Sequence, residues 1–140
     1  MNLKTLGLIA LAILAVVVVT NVRAGNTRSV TPKEANTLVA KKQAVLIDVR
    51  EAGELAESGT AKGAYWLPMS KLSANSPEMQ DLLKKINPDG KKDKELIFFC
   101  RSGGRANTAA ATFDKLGFKV VNMGGFSSWQ AAGLPVEQRK

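Results

Sequence analysis

The chain of 140 residues has no histidine and a single cysteine, Cys100. Without imidazole, the Ser/His/Asp and Cys/His nucleophile pairs and the histidine-containing zinc sites are excluded. With one thiol, an internal disulfide and a sulfur cage for a metal are excluded as well. Acidic residues are the minority charge, 12 against 20 basic, for a net +8. What is present is a globular composition, 45% hydrophobic and 23% charged, which excludes a disordered or collagen-like chain and predicts one compact domain.

The N-terminus reads differently from the rest. Lys4 precedes an apolar run from Leu6 to Val19, followed by Thr20-Asn21-Val22-Arg23-Ala24-Gly25. This is the order of a charged region, an apolar region and a small-residue cleavage site, and predicts a secretory signal peptide over residues 1–24. The alternative is an uncleaved anchor in the inner membrane with the domain facing outward. The run is short against the ~20 residues of a spanning helix. No cysteine follows it, so a lipid anchor at the cleavage site is excluded. The exported part, 25–140, is long enough to bury one core without disulfides. Loss of Lys4 and Arg23 leaves it at +6.

Strand and helix signals alternate along that domain. Thr31-Pro32-Lys33-Glu34 is a capping box with proline at the first helical position, opening a helix toward Lys41. Ala44 to Asp48 and Glu95 to Phe99 are short, branched or aromatic apolar runs, as expected of strands buried on both faces. Ala64 to Leu67 reads as another strand. Glu51 to Glu57 reads as a short helix ending near Gly59, with Glu51, Glu54 and Glu57 on a solvated face. Pro77 to Ile86 reads as a helix capped by Ser76, and Asn87-Pro88-Asp89-Gly90 opens a charged surface loop. The last helix signal before the closing segment is Ala106 to Leu116, whose Ala106, Ala109, Ala110, Phe113 and Leu116 form an apolar stripe stopped by Gly117.

Cys100-Arg101-Ser102-Gly103-Gly104-Arg105 joins the Glu95–Phe99 strand to that helix. A strand, a tight glycine-bearing turn and a helix start form an anion site, because successive backbone N–H groups point inward and the helix dipole favours negative charge. Before its neighbours are considered, a lone exported cysteine reads as a small buried hydrophobe. Between two arginines at the mouth of such a loop, it reads instead as a thiolate nucleophile activated without a histidine base.

These motifs resemble the single-domain rhodanese family from about Val30 to Pro135. Val45 to Glu51 is similar to the family's Asp-x-Arg-Glu after a buried strand, and Gly63-Ala64 with Leu67-Pro68 to its next motif. Cys100 to Arg105 is similar to the active-site loop, and Gly117-Phe118, Gly124-Gly125, Trp129 and Ala132-Gly133-Leu134-Pro135 to the closing segment. The resemblance departs at Gly59-Thr60-Ala61-Lys62-Gly63-Ala64, where the family commonly has a histidine and a proline.

The resemblance implies a three-layer α/β domain with a central, mainly parallel sheet flanked by helices. It also implies a sulfurtransferase that moves sulfane sulfur from a small anionic donor such as thiosulfate, through a Cys100 persulfide, to cyanide or a thiol. No cofactor is called for. Cys100 is the expected nucleophile. Arg101 and Arg105 would bind the donor and stabilise charge, while Ser102, Gly103, Gly104 and Ala106 would supply backbone N–H groups. Asp48 and Arg50 would brace the loop, or else form an ordinary surface ion pair worth ~0 to 1 kcal/mol. Phe98, Phe99, Phe113 and Phe118 read as core, Trp129 as a packing residue of the last helix, and Trp66 as core or as a wall of the pocket.

Two other functions stay open. A phosphatase or arsenate reductase of the same fold has a loop one residue longer, with its arginine where Ala106 stands here. A binding module without turnover is the other. The basic charge does not point to nucleic acid, since Lys84, Lys85, Lys91, Lys92 and Lys94 cluster at a surface loop without interleaved aromatics. A membrane partner is expected only if residues 1–24 are retained.

Overall fold

The computed structural model describes residues 27–139; the predicted signal segment lies outside them. The strands are β1 (Arg28–Ser29), β2 (Ala44–Asp48), β3 (Thr60–Ala61), β4 (Tyr65–Trp66), β5 (Glu95–Cys100), β6 (Lys119–Gly125) and β7 (Val136–Glu137). The α-helices are α1 (Pro32–Ala40), α2 (Ala52–Ser58), α3 (Pro77–Ile86), α4 (Gly104–Lys115) and α5 (Phe126–Ala131). Five strands form a wholly parallel sheet in the order β1-β6-β5-β2-β4, and β3 pairs antiparallel with β7 apart from it. Among the described residues, no helix is long and apolar enough to cross a membrane.

Local chemistry explains the elements. The Thr31 hydroxyl accepts a hydrogen bond from the Glu34 amide, and the Glu34 carboxylate accepts one from the Thr31 amide, which starts α1. Ser76 accepts from Met79 N at 3.1 Å and starts α3. Along β5 the side chains alternate between two cores. Leu96, Phe98 and Cys100 pack on the side holding Met79, Leu82 and Phe113; Ile97 and Phe99 pack on the side holding Ala35, Phe126 and Trp129. Helices therefore cover both faces of the sheet, and Cys100 emerges beneath the start of α4.

The closing helix holds through Trp129, which is 1% exposed and donates its indole N–H to Pro135 O at 2.8 Å. The apolar stripe of α4 holds for Ala106, Ala109, Ala110 and Phe113 but not for Leu116, which is 39% exposed. The helix ends at Lys115, and the left-handed Gly117 turns the chain so that Phe118 fills the core in place of Leu116. α4 also begins earlier than the predicted Ala106, because Gly103 itself is the cap residue.

Candidate active site

Cys100 closes β5 and lies in register with Gly125 of β6. A bulge precedes it: Phe98 pairs with Asn122 and Phe99 with Gly124, so Met123 is the extra residue and the two strands splay around the loop. The Cys100 side chain is 1% exposed, and its Sγ accepts the Gly103 N–H at 2.9 Å. Gly103 reaches that position at φ +107°, a conformation that favours glycine. The amides of Gly104, Arg105 and Ala106 follow as the first turn of α4, where N–H groups have no acceptor within the helix. The strand end, the glycine turn and the helix start expected of this loop are thus in place.

A residue that sequence reasoning missed holds the cradle in shape. Asn122, 8% exposed, donates to Gly103 O at 3.1 Å and to Asn107 Oδ1 at 2.8 Å, and its own Oδ1 accepts from Gly124 N at 2.7 Å. It therefore links the loop, the helix α4 and the bulge of β6. On the other side, Gly125 approaches Arg101 so closely that a Cβ there would lie 2.4 Å from Arg101 O. Any larger residue at 125 would push out the peptide that follows the cysteine.

The two arginines of the loop part ways. Arg101 is exposed and lines a cavity of about 410 Å³ together with Arg50, Glu57, Ser58 and Phe126. Arg105 turns to α2 and forms a bidentate pair with Glu54, both N–O distances being 2.7 Å. This corrects the solvated-face expectation for Glu54, and Glu51 departs from it too, while Glu57 is exposed as expected. Glu54 also accepts the Glu51 amide at 2.9 Å, and Glu51 accepts from the Ser70 amide and hydroxyl. Capping of α2 and the arrival of Arg105 from a distant segment use the carboxylates that a helical wheel leaves in water.

The pair has an electrostatic consequence. The hydrogen bond from Arg105, with help from the Glu51 amide and the charges of Arg105 and Arg50, lowers the Glu54 pKa from 4.5 to about 2 against a smaller effect of burial. Arg105 is in turn raised, by Glu54 first and by the nearby Cys100 and Glu51 more weakly. A depressed carboxylate contributes stability that is present above its unfolded value near 4.5 and is lost as pH falls toward about 2. With both side chains about a third exposed, solvent screening holds this to ~1 kcal/mol or less. Thermal melts at about pH 6 and about pH 3 should show the wild type losing more stability on acidification than Glu54→Gln. Equal losses would mean that the pair contributes nothing in solution.

Asp48 and Arg50 form a buried pair, 0% and 4% exposed, rather than a surface one. Asp48 accepts from Arg50 N, Nε and Nη2 and from Thr60 Oγ1 at 2.7 to 3.2 Å. Arg50 then donates to Ser58 Oγ and Gly59 O, and its guanidinium lies 4.3 Å from the Phe126 ring centre. The expected bracing of the cysteine loop is therefore corrected. Arg50 makes no hydrogen bond to that loop; it holds the turn after α2 and stacks on the residue next to Gly125. Trp66 is half-buried and donates its indole N–H to Arg50 O at 2.8 Å, so it is neither a core residue nor a lining residue of this cavity.

Ser102 and Gly104 line a second cavity, beside Asn107 and Asn122. Among the described residues no group of three or more acidic or cysteine side chains is placed to hold a metal.

A strand-ending cysteine, a glycine-bearing turn that runs into a helix and a parallel sheet flanked by helices define a class, the α/β domains with a cysteine loop at the carboxyl edge of the sheet. Within it the chain belongs to the rhodanese-like family: the Rhodanese-like domain model matches residues 31–132. The chain is 33% identical over 110 residues to thiosulfate sulfurtransferase GlpE of Actinobacillus succinogenes, spanning 77% of this chain and 88% of that one. The solution structure of a polysulfide-sulfur transferase homodimer from Wolinella succinogenes matches with a TM-score of 0.61 at 30% identity, covering 81% of this chain and 80% of that one. A rhodanese-related protein from Thermoplasma volcanium matches with a TM-score of 0.63 at 26% identity, over 80% of this chain and 99% of that one.

Proposed function

We propose that this protein is a sulfurtransferase that carries sulfane sulfur as a persulfide on Cys100, taking it from a donor such as thiosulfate and passing it to cyanide or a thiol. The observation that carries this reading is the Gly103 N–H at 2.9 Å from Cys100 Sγ, at the head of a helix whose first amides are free to receive an anion.

The thiolate of Cys100 attacks the outer sulfur of the donor. One S–S bond forms at Cys100 as the S–S bond of thiosulfate breaks, and sulfite leaves with the electron pair. Cysteine thiolate and thiosulfate thus give cysteine persulfide anion and sulfite, with charge conserved. Arg101, exposed at the mouth, receives the departing oxyanion. Arg105 is held by Glu54, and the amides of Ser102, Gly103, Gly104 and Ala106 solvate the persulfide. Cyanide then attacks the outer sulfur, leaving as thiocyanate and regenerating the thiolate.

The loop length favours sulfur over phosphate or arsenate, since arginine stands at 105 and alanine at 106. The cysteine retained at the head of an intact loop favours turnover over a passive binding module. We also propose that the domain acts after export, on the strength of the apolar run from Leu6 to Val19.

Steady-state thiocyanate production with thiosulfate and cyanide varied together tests the activity. A covalent carrier predicts ping-pong kinetics, with parallel double-reciprocal lines. Intersecting lines would require both substrates bound at once and would contradict a persulfide carrier.

A further inference from the structure

The sequence places two cations around Cys100, but the folded site does not present two. Glu54 occupies Arg105 with both carboxylate oxygens at 2.7 Å. Asp48 likewise occupies Arg50. Glu57 lies on the same cavity as Arg101. Among the described residues, Arg101 is the one arginine at this mouth with no carboxylate within ion-pair distance. The mouth is therefore close to charge-balanced, although the chain as a whole is strongly basic.

We propose that Glu54 is a specificity-determining residue which, by cancelling the charge of Arg105, sets the site for singly charged organic sulfane donors, persulfides and thiosulfonates, in preference to the thiosulfate dianion. This role presupposes the sulfurtransferase activity proposed above. A dianion and a monoanion that deliver the same sulfur differ mainly by one unit of charge, so the potential at the mouth discriminates between them. Glu54 contributes a fixed negative charge there throughout the range in which a thiolate can act, since Arg105 keeps it ionised to about pH 2. The chemistry is unchanged for the preferred class. With methanethiosulfonate, the Cys100 thiolate takes the outer sulfur, the donor S–S bond breaks, and methanesulfinate leaves with the electron pair.

Glu54→Gln is the direct test, because glutamine keeps an oxygen for the Glu51 amide and so preserves the helix start. The quantity to measure is kcat/KM for thiosulfate divided by kcat/KM for methanethiosulfonate, with cyanide as acceptor. The expected shift is roughly five- to tenfold toward thiosulfate, the size of one charge–charge interaction across a solvated mouth. Arg105→Gln should move the ratio the other way, and Glu54→Gln with Arg105→Gln should return it to within about twofold of wild type. Should Glu54→Gln fail to fold, Arg105→Gln alone still tests the proposal, and an unchanged ratio in it would overturn the role of the pair.

An unchanged ratio across the variants, with both donors still yielding thiocyanate, would overturn the role of Glu54 and leave the sulfurtransferase standing. No thiocyanate from either donor in any variant, wild type included, would overturn the sulfurtransferase reading and this role with it.

Discussion

Cys100→Ser is expected to lower thiocyanate formation by at least about a thousandfold while leaving the domain folded. Serine has nearly the shape of cysteine and can accept the same Gly103 N–H, so the buried position stays filled and its hydrogen bond stays made. What disappears is the sulfur nucleophile. A serine hydroxyl is not ionised near neutral pH, and the chain has no histidine to remove its proton. Because Cys100 is the single cysteine, no second thiol can take over. Circular dichroism should give an unchanged spectrum with a melting temperature close to wild type. Retention of more than about a tenth of the activity would mean that sulfur travels without a cysteine, and the carrier mechanism would fall.

Asp48→Ala is expected to have the largest effect on stability. The carboxylate is fully buried and accepts from four donors, Arg50 N, Nε and Nη2 and Thr60 Oγ1. Its removal leaves a guanidinium, 4% exposed, held by Ser58, Gly59 and the Phe126 ring but without its counter-charge. Breaking such a pair from one side costs about 3–5 kcal/mol, a large part of the ~5–15 kcal/mol that holds a domain together. The melting temperature should fall by more than about 10 °C. Asp48→Asn keeps an acceptor for Thr60 and Arg50 and should lose less. A fall of under about 3 °C for the alanine variant would show that Arg50 finds water or another partner at little cost.

How much of this was legible beforehand divides by sequence separation. Thr31 with Glu34, Ser76 with Met79, and the apolar runs of β2 and β5 are local patterns, so α1, α3 and the central strands could be read directly. The cysteine loop was legible for the same reason, as a contiguous strand, turn and helix start. Glu57 is solvated as its spacing suggests, but Glu54 is not, because its partner is 51 residues away and arrives only through the fold. Asn122 was missed on similar grounds. An asparagine inside a strand gives no local signal, and its role depends on a bulge that exists only when β5 and β6 are paired. Strands of two residues, such as β1, β3 and β7, carry too short a pattern to distinguish from loop.

Arg50 illustrates a further limit. An Asp-x-Arg spacing shows that two charges are close, but not whether water reaches them. Burial comes from Phe126 above and the Gly59 turn below, both remote from the motif. The same pair that reads as a surface contact worth little becomes, once enclosed, a structural centre beside the site.

The most direct measurement is the intact mass of the purified domain before and after incubation with a sulfane donor, then after cyanide, with peptide mapping of the modified residue. The account predicts a gain of one sulfur atom located on Cys100, removed by cyanide as thiocyanate, and absent from Cys100→Ser. A free, reduced Cys100 that gains no sulfur from either thiosulfate or methanethiosulfonate would contradict it.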